Sequence, residues 1–176
     1  MAHSEKQYPI GPFEPPASIS AADRTRYLHH MQALPATVRT AVAGLSDARL
    51  DTPYRPAGWT VRQVVHHLAD SHMNGYMRFR WTLTEDEPSI KTYDEEGWAE
   101  FDDARHMSVV PSLALLDALH ARWVRLGRSL SKAMWERVYH HPESGRMTLE
   151  DALALYAWHG RHHAAHITML REREGW

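Results

Sequence analysis

The chain has 176 residues, 43% of them apolar, and a net charge of −2 with histidine neutral, which suits one core in one domain spanning residues 1–176. Lysine and arginine form no stripe and no segment approaches the ~18 apolar residues needed to cross a bilayer, so the composition argues against nucleic-acid and membrane partners and for a soluble, cytoplasmic protein. With no cysteine, disulfides, thiolate ligands and a cysteine nucleophile are excluded, and any thiol chemistry must use a substrate thiol.

Residues 1–18 read as an extended N-terminal arm, because four prolines and a glycine between 8 and 18 forbid helix while Tyr8, Ile10 and Phe13 can pack on the domain. Ser20 and Asp23 form a capping arrangement for a first helix with an apolar stripe of Tyr27, Met31, Leu34, Val38, Val42 and Leu45, kinked at Pro35. Beyond the turn-rich segment 51–58, the capping box of Thr60 and Gln63 opens a second helix to about Thr84. Residues 85–110 are expected to be a long crossover with a short helix over 93–101. Pro111 opens a third helix striped by Leu113, Leu116, His120, Trp123 and Leu130, and 132–139 adds a short helical turn. Residues 139–145 read as a loop, and Thr148 with Asp151 caps a fourth helix through about Glu172. No strand pattern stands out, so the fold class expected is an all-α four-helix bundle, a place where metal sites are built from facing helices.

Histidine is abundant, 14 of 176, and four of them crowd into residues 159–166. Neutral imidazole is a common ligand for zinc and nickel, and two imidazoles three or four residues apart on one helix face can share an ion. His159 and His163 have that spacing, as do His162 and His166. The fourth-helix stripe of Leu153, Tyr156, Gly160, His163, Ile167 and Leu170 turns His159 and His163 inward and His162 and His166 toward an edge. On the second helix, the apolar positions Val61, Val64, Val65 and Leu68 leave His66 and His67 equally placed. His67 lies ~9 Å from its helix start and His163 ~14 Å from its helix end, so they meet only if the two helices are antiparallel; a parallel pair misses by ~12 Å.

Lone histidines such as His3, His29, His30 and His106 are ordinary surface residues, and His120 reads as a satisfied core histidine before a cleft residue. His72, His140, His141 and Arg161 are weaker candidates. Trp59, Trp123 and Trp158 read as core packing, with a substrate wall as the alternative.

Residues 58–72 (GWTVRQVVHHLADSH), Leu83-Thr84-Glu85 with Tyr93-Asp94-Glu95, and residues 156–167 (YAWHGRHHAAHI) resemble the DinB-like superfamily in its YfiT-type branch. The segments 8–11 and 50–55 resemble it too, so the likeness spans nearly the whole chain. It implies an up-down-down-up bundle, makes the second and fourth helices antiparallel, assigns the metal ligands to His67, His159 and His163, and suggests a homodimer. The branch is described as metal-dependent hydrolases, while related proteins transfer bacillithiol or mycothiol.

Three neutral ligands leave a coordination position for water or substrate, the pattern of a catalytic site. The ion expected is zinc, with nickel as the alternative. The helix-four histidines enclose no glutamate as His-Glu-x-x-His does, which favours transfer of a low-molecular-weight thiol, bacillithiol-like, to an electrophile, because coordination alone activates a thiol. The alternative is a hydrolase whose ion lowers the pKa of bound water to about 7; a third reading is a non-catalytic module fastened by the ion. Asp70, one turn beyond His67, is a candidate to orient a ligand imidazole or to take a proton.

Overall fold

Three reciprocal capping boxes start the long helices. At Ser20, Thr60 and Thr148 the hydroxyl accepts the N–H of the residue three places on, whose side chain accepts the cap N–H in return. In the computed structural model, which describes residues 7–176, these boxes open α1 (Ala21–Val42), α3 (Val61–Thr84) and α8 (Leu149–Glu174). α6 (Val110–Ser129) starts one residue ahead of Pro111, which occupies the first turn where no donor is needed. The arm expected over 1–18 is described from Gln7 onward and is not helical; its first six residues, His3 among them, lie outside the described residues.

Side-chain contacts give the relative directions of the four long helices. Arg24 pairs with Glu150 and Arg171 donates to the Ala41 carbonyl, so α1 and α8 run parallel. Ser112 meets His66 and His120 meets His72, so α3 and α6 run parallel. Arg39 pairs with Asp117 while Arg128 donates to Gln32, so α1 and α6 are antiparallel. His67 faces His163 whereas Gly75 lies against Tyr156, so α3 and α8 are antiparallel. The result is the expected up-down-down-up bundle.

Two parallel helices in succession need a return connection, and residues 85–109 supply it through α4 (Glu95–Ala99) and α5 (Asp102–His106). Arg62, 3% exposed, anchors this end of the bundle by donating to Asp51 (2.7 Å), Asp47 (2.8 Å) and the Met107 carbonyl (3.0 Å). Gln63 holds the crossover through the Ala99 carbonyl at 2.8 Å. The acids belong to and flank α2 (Asp47–Leu50), a short helix the sequence reading did not anticipate.

The structure corrects the loop expected at 139–145. After α7 (Lys132–Trp135), the strands β1 (Val138–His141) and β2 (Gly145–Thr148) form an antiparallel hairpin pairing Val138 with Thr148 and His141 with Gly145. An isolated two-stranded ribbon is marginal. This one buries Val138 and Tyr139, and His140 exchanges backbone hydrogen bonds with Pro88 and Ile90 of the crossover.

The interior is two apolar clusters with histidines between them. One gathers Val38, Val61, Leu68, Leu116 and Ile167; the other gathers Met31, Phe79, Trp123, Leu153 and Tyr156. Buried His72 and His120 lie between, at the level where Gly160 brings α8 so close to α1 that a Cβ there would sit 2.4 Å from Leu34. Pro35 lies inside α1, which continues as helix to Val42.

A candidate three-histidine metal centre

α3 and α8 each present a histidine face inward, and their antiparallel arrangement brings the faces to one level. A ligand atom from each of His67, His159 and His163 lies within 4.8 Å of the other two. The Nε2 atoms of His67 and His159 are 3.2 Å apart. A tetrahedral ion with bonds of about 2.0–2.1 Å sets its nitrogens ~3.3 Å apart, so this edge already has the spacing of a shared ion. The buried Nδ1 of His163 has no hydrogen-bond partner among the described residues. Together the donor set fits a divalent cation.

Electrostatics agree with that fit, because only a neutral imidazole can bind a metal. Burial lowers His67 to about 4, and it pushes His159 and His163 well below the usual histidine range, with the neighbouring imidazoles adding to the effect. All three are uncharged at neutral pH. Trp59 packs against His67 at 4.6 Å and His163 at 6.4 Å between ring centroids, walling the site on one side.

Two of the three, His67 and His163, open onto a cleft of about 270 Å³ lined also by Arg55, Trp59, Glu95 and Glu96, among others. A larger groove of about 690 Å³ along α1 and the end of α8 contains none of the histidines. Glu95 and Glu96 come from the crossover, so the cleft has carboxylates that no helix-four motif announces. Partial burial raises the Glu95 carboxyl, with Glu143 adding and Arg78 opposing.

The remaining histidines separate cleanly. His66, the other half of the helix-three pair, turns away to meet Ser112 at 2.7 Å and the Met107 carbonyl at 3.2 Å. His162 stacks on Trp158, and His166 stacks on Tyr54 while its Nε2 donates to the Gln7 carbonyl; both border the cleft without joining the cluster. Asp70 makes no hydrogen bond to the cluster among the described residues. It does not line the cleft, and burial followed by Asp103 raises its carboxyl to about 6.

The sequence places His72 only among the weaker candidates, and the structure raises it. It is fully buried, its Nε2 lies 3.3 Å from His159 Nδ1, and its Nδ1 lies 2.9 Å from His120 Nε2. A signal existed: Val61, Val65, Leu68, His72, Gly75 and Phe79 form one stripe at helical spacing, the same evidence that turned His163 inward. His120 is the satisfied core histidine expected, its Nδ1 donating to the Met31 carbonyl at 2.6 Å.

Comparison with known proteins follows the same geometry. The DinB superfamily model matches residues 30–167. YfiT of Bacillus subtilis, by name a presumed metal-dependent hydrolase, is 49% identical over 177 residues, covering 100% of this chain and 99% of that protein. A Bacillus mycoides protein named in the same way is 51% identical over 170 residues, covering 97% and 98%. The solved structure of B. subtilis YfiT, described as having an unusual four-helix bundle topology, superposes with a TM-score of 0.96 at 48% identity, over 98% of this chain and 99% of that one.

Proposed function

Because the chain belongs to the DinB superfamily, we propose that it is a metal-dependent enzyme in which His67, His159 and His163 hold one divalent ion, zinc or alternatively nickel, and the cleft beside them hydrolyses a small-molecule substrate. The observation that carries this reading is the convergence of three neutral imidazoles beside an open cleft that also holds Glu95 and Glu96. When bound, such an ion supplies Lewis-acid polarisation and an acidified water. The chain's own residues do the rest: Trp59 offers an apolar wall, Arg55 a cation for an anionic substrate group, and Glu95, its carboxyl raised by burial, a proton acceptor. Asp70, held near 6, is the second candidate for that role. The names of the relatives support hydrolysis.

Thiol transfer is the second reading, favoured by the fact that no carboxylate hydrogen-bonds the three histidines among the described residues. Coordination alone would activate a bacillithiol-like thiol toward an electrophile. One experiment separates these readings. Zinc- or nickel-loaded protein is assayed against carboxylic esters and amides, and with bacillithiol, mycothiol, glutathione or coenzyme A plus a chlorinated electrophile. Hydrolysis requires ester or amide turnover that His163→Ala abolishes; with Glu95 as the proton acceptor, Glu95→Gln lowers it by about 10²–10⁴ in kcat. Thiol conjugation without hydrolysis selects transfer. No turnover in any arm, with a large fall in Tm on chelation, leaves an ion that only fastens helices. The homodimer implied by the resemblance belongs to the same proposal and is read by light scattering.

A further inference from the structure

A ligand histidine must present a bare ring nitrogen to the ion, and its other nitrogen must then carry the proton. His159 makes its second hydrogen bond to another imidazole, His72, which by itself leaves the direction open because either ring can donate. The direction is set further along. His72 bonds His120, and His120 Nδ1 lies 2.6 Å from the Met31 carbonyl oxygen, an acceptor only. That carbonyl is available because of α1's own sequence. Residue 35 is proline and has no N–H to return to the carbonyl four residues earlier, at Met31.

We propose that His120 and His72 are positioning residues, forming a hydrogen-bonded wire from the Met31 carbonyl that fixes His159 in the tautomer with Nδ1 protonated and Nε2 bare toward His67 and His163. Each step follows from the one before. The carbonyl requires a proton on His120 Nδ1, so neutral His120 accepts at Nε2 from His72 Nδ1–H. Neutral His72 then accepts at Nε2 from His159 Nδ1–H, which leaves His159 Nε2 as a lone pair. His72 and His120 are 0% and 1% exposed, and a charged imidazole there would be buried without a counter-charge, so the wire is built of neutral rings. His72 packs its ring against Trp123, Tyr156 and the two histidines, and among the described residues its hydrogen bonds go to His120 and His159 and to no carboxylate. The 3.2 Å contact between Nε2 atoms then has His67 as its donor when no ion lies between them.

The inference rests on His159 being a metal ligand, and the test keeps the two apart. Long-range ¹⁵N–¹H spectra of imidazole-labelled protein, without metal and with zinc, report which ring nitrogens carry hydrogen. The expected result is Nδ1–H with bare Nε2 at His159, and Nδ1–H at His72 and His120, in the metal-free protein. Zinc affinity is measured in parallel by competition with a chromophoric chelator. His72→Phe, which fills the space without an acceptor, is expected to weaken zinc binding about 10- to 100-fold and to mix the His159 tautomers. His72→Gln, whose carbonyl can still accept from His159, is expected to restore most of the affinity. A metal-free wild type with Nε2–H at His159 overturns the wire, and needs no variant to fold. So does a folded His72→Phe protein with one His159 tautomer and wild-type affinity. Unchanged affinity in His159→Ala instead removes His159 from the ligand set, a failure of the metal reading rather than of the wire.

Discussion

His66 and His67 show what one residue of spacing decides. Adjacent helical positions point 100° apart, so one imidazole reaches the α8 cluster while the other reaches Ser112 on α6. The stripe on α3 is wide enough to bury both, which is why periodicity could not choose between them. Asp70 carries a prediction at this scale. Its carboxyl titrates near 6 in the fold against 3.8 in a free chain, so the folded state binds the extra proton between those values. Its stabilising contribution is present below about pH 4 and lost as pH rises through about 6. A shift of that size is about 3 kcal/mol, reduced to about 1 kcal/mol for a group that solvent partly reaches. Asp70→Asn is therefore expected to unfold at higher urea than wild type at pH 7 and at equal urea at pH 3.5. If Asp70 is also the proton acceptor, the same variant loses turnover while gaining stability; full turnover assigns that role to Glu95.

At the scale of elements, close approach sets the bundle's spacing. A Cβ on Gly75 would lie 2.3 Å from Tyr156 and 2.6 Å from Trp123, two buried rings with nowhere to move. Gly75→Ala gains about 1 kcal/mol of helix propensity, yet overpacking costs typically 1–3 kcal/mol. The expected outcome is a lower Tm in thermal melts, with a smaller effect for Gly160→Ala, whose nearest neighbour is the flexible Leu34 side chain. The clamp at Arg62 joins α3 to the crossover and to α2. Removing it leaves two acids with exposed side chains and a carbonyl unpaired, so Arg62→Ala is expected to cost about 2 kcal/mol in chemical denaturation. Element starts were the most legible part of the sequence, since Ser20, Thr60 and Thr148 each carry a partner three residues on. The hairpin was illegible for the opposite reason. Its four-residue strands are held by burial of Tyr139 and by backbone bonds to Pro88 and Ile90, some 50 residues away.

On the scale of the whole molecule, the three histidines bridge α3 and α8, which are distant in the chain, so an ion bound there favours the folded state alone. Zinc at about 1,000 times its Kd is expected to add about 4 kcal/mol. Calorimetry with zinc and with a chelator checks this: a rise in Tm for wild type that is absent in His163→Ala. No helix of the described residues is long and apolar enough to cross a membrane. What the sequence determined by itself was local or periodic: four long helices, three of them opened by capping pairs and one by proline, the inward turn of His159 and His163, and the level at which a partner from the second helix must lie. Caps and stripes are properties of neighbouring residues, so they survive without the fold. Tertiary structure decided what depends on residues far apart in the chain. It placed Glu95 and Glu96 beside the histidines by way of the crossover, turned His66 toward Ser112, and joined Pro35, His120 and His72 behind His159. Those last three sit on three different helices, and only the up-down-down-up packing brings them to one level.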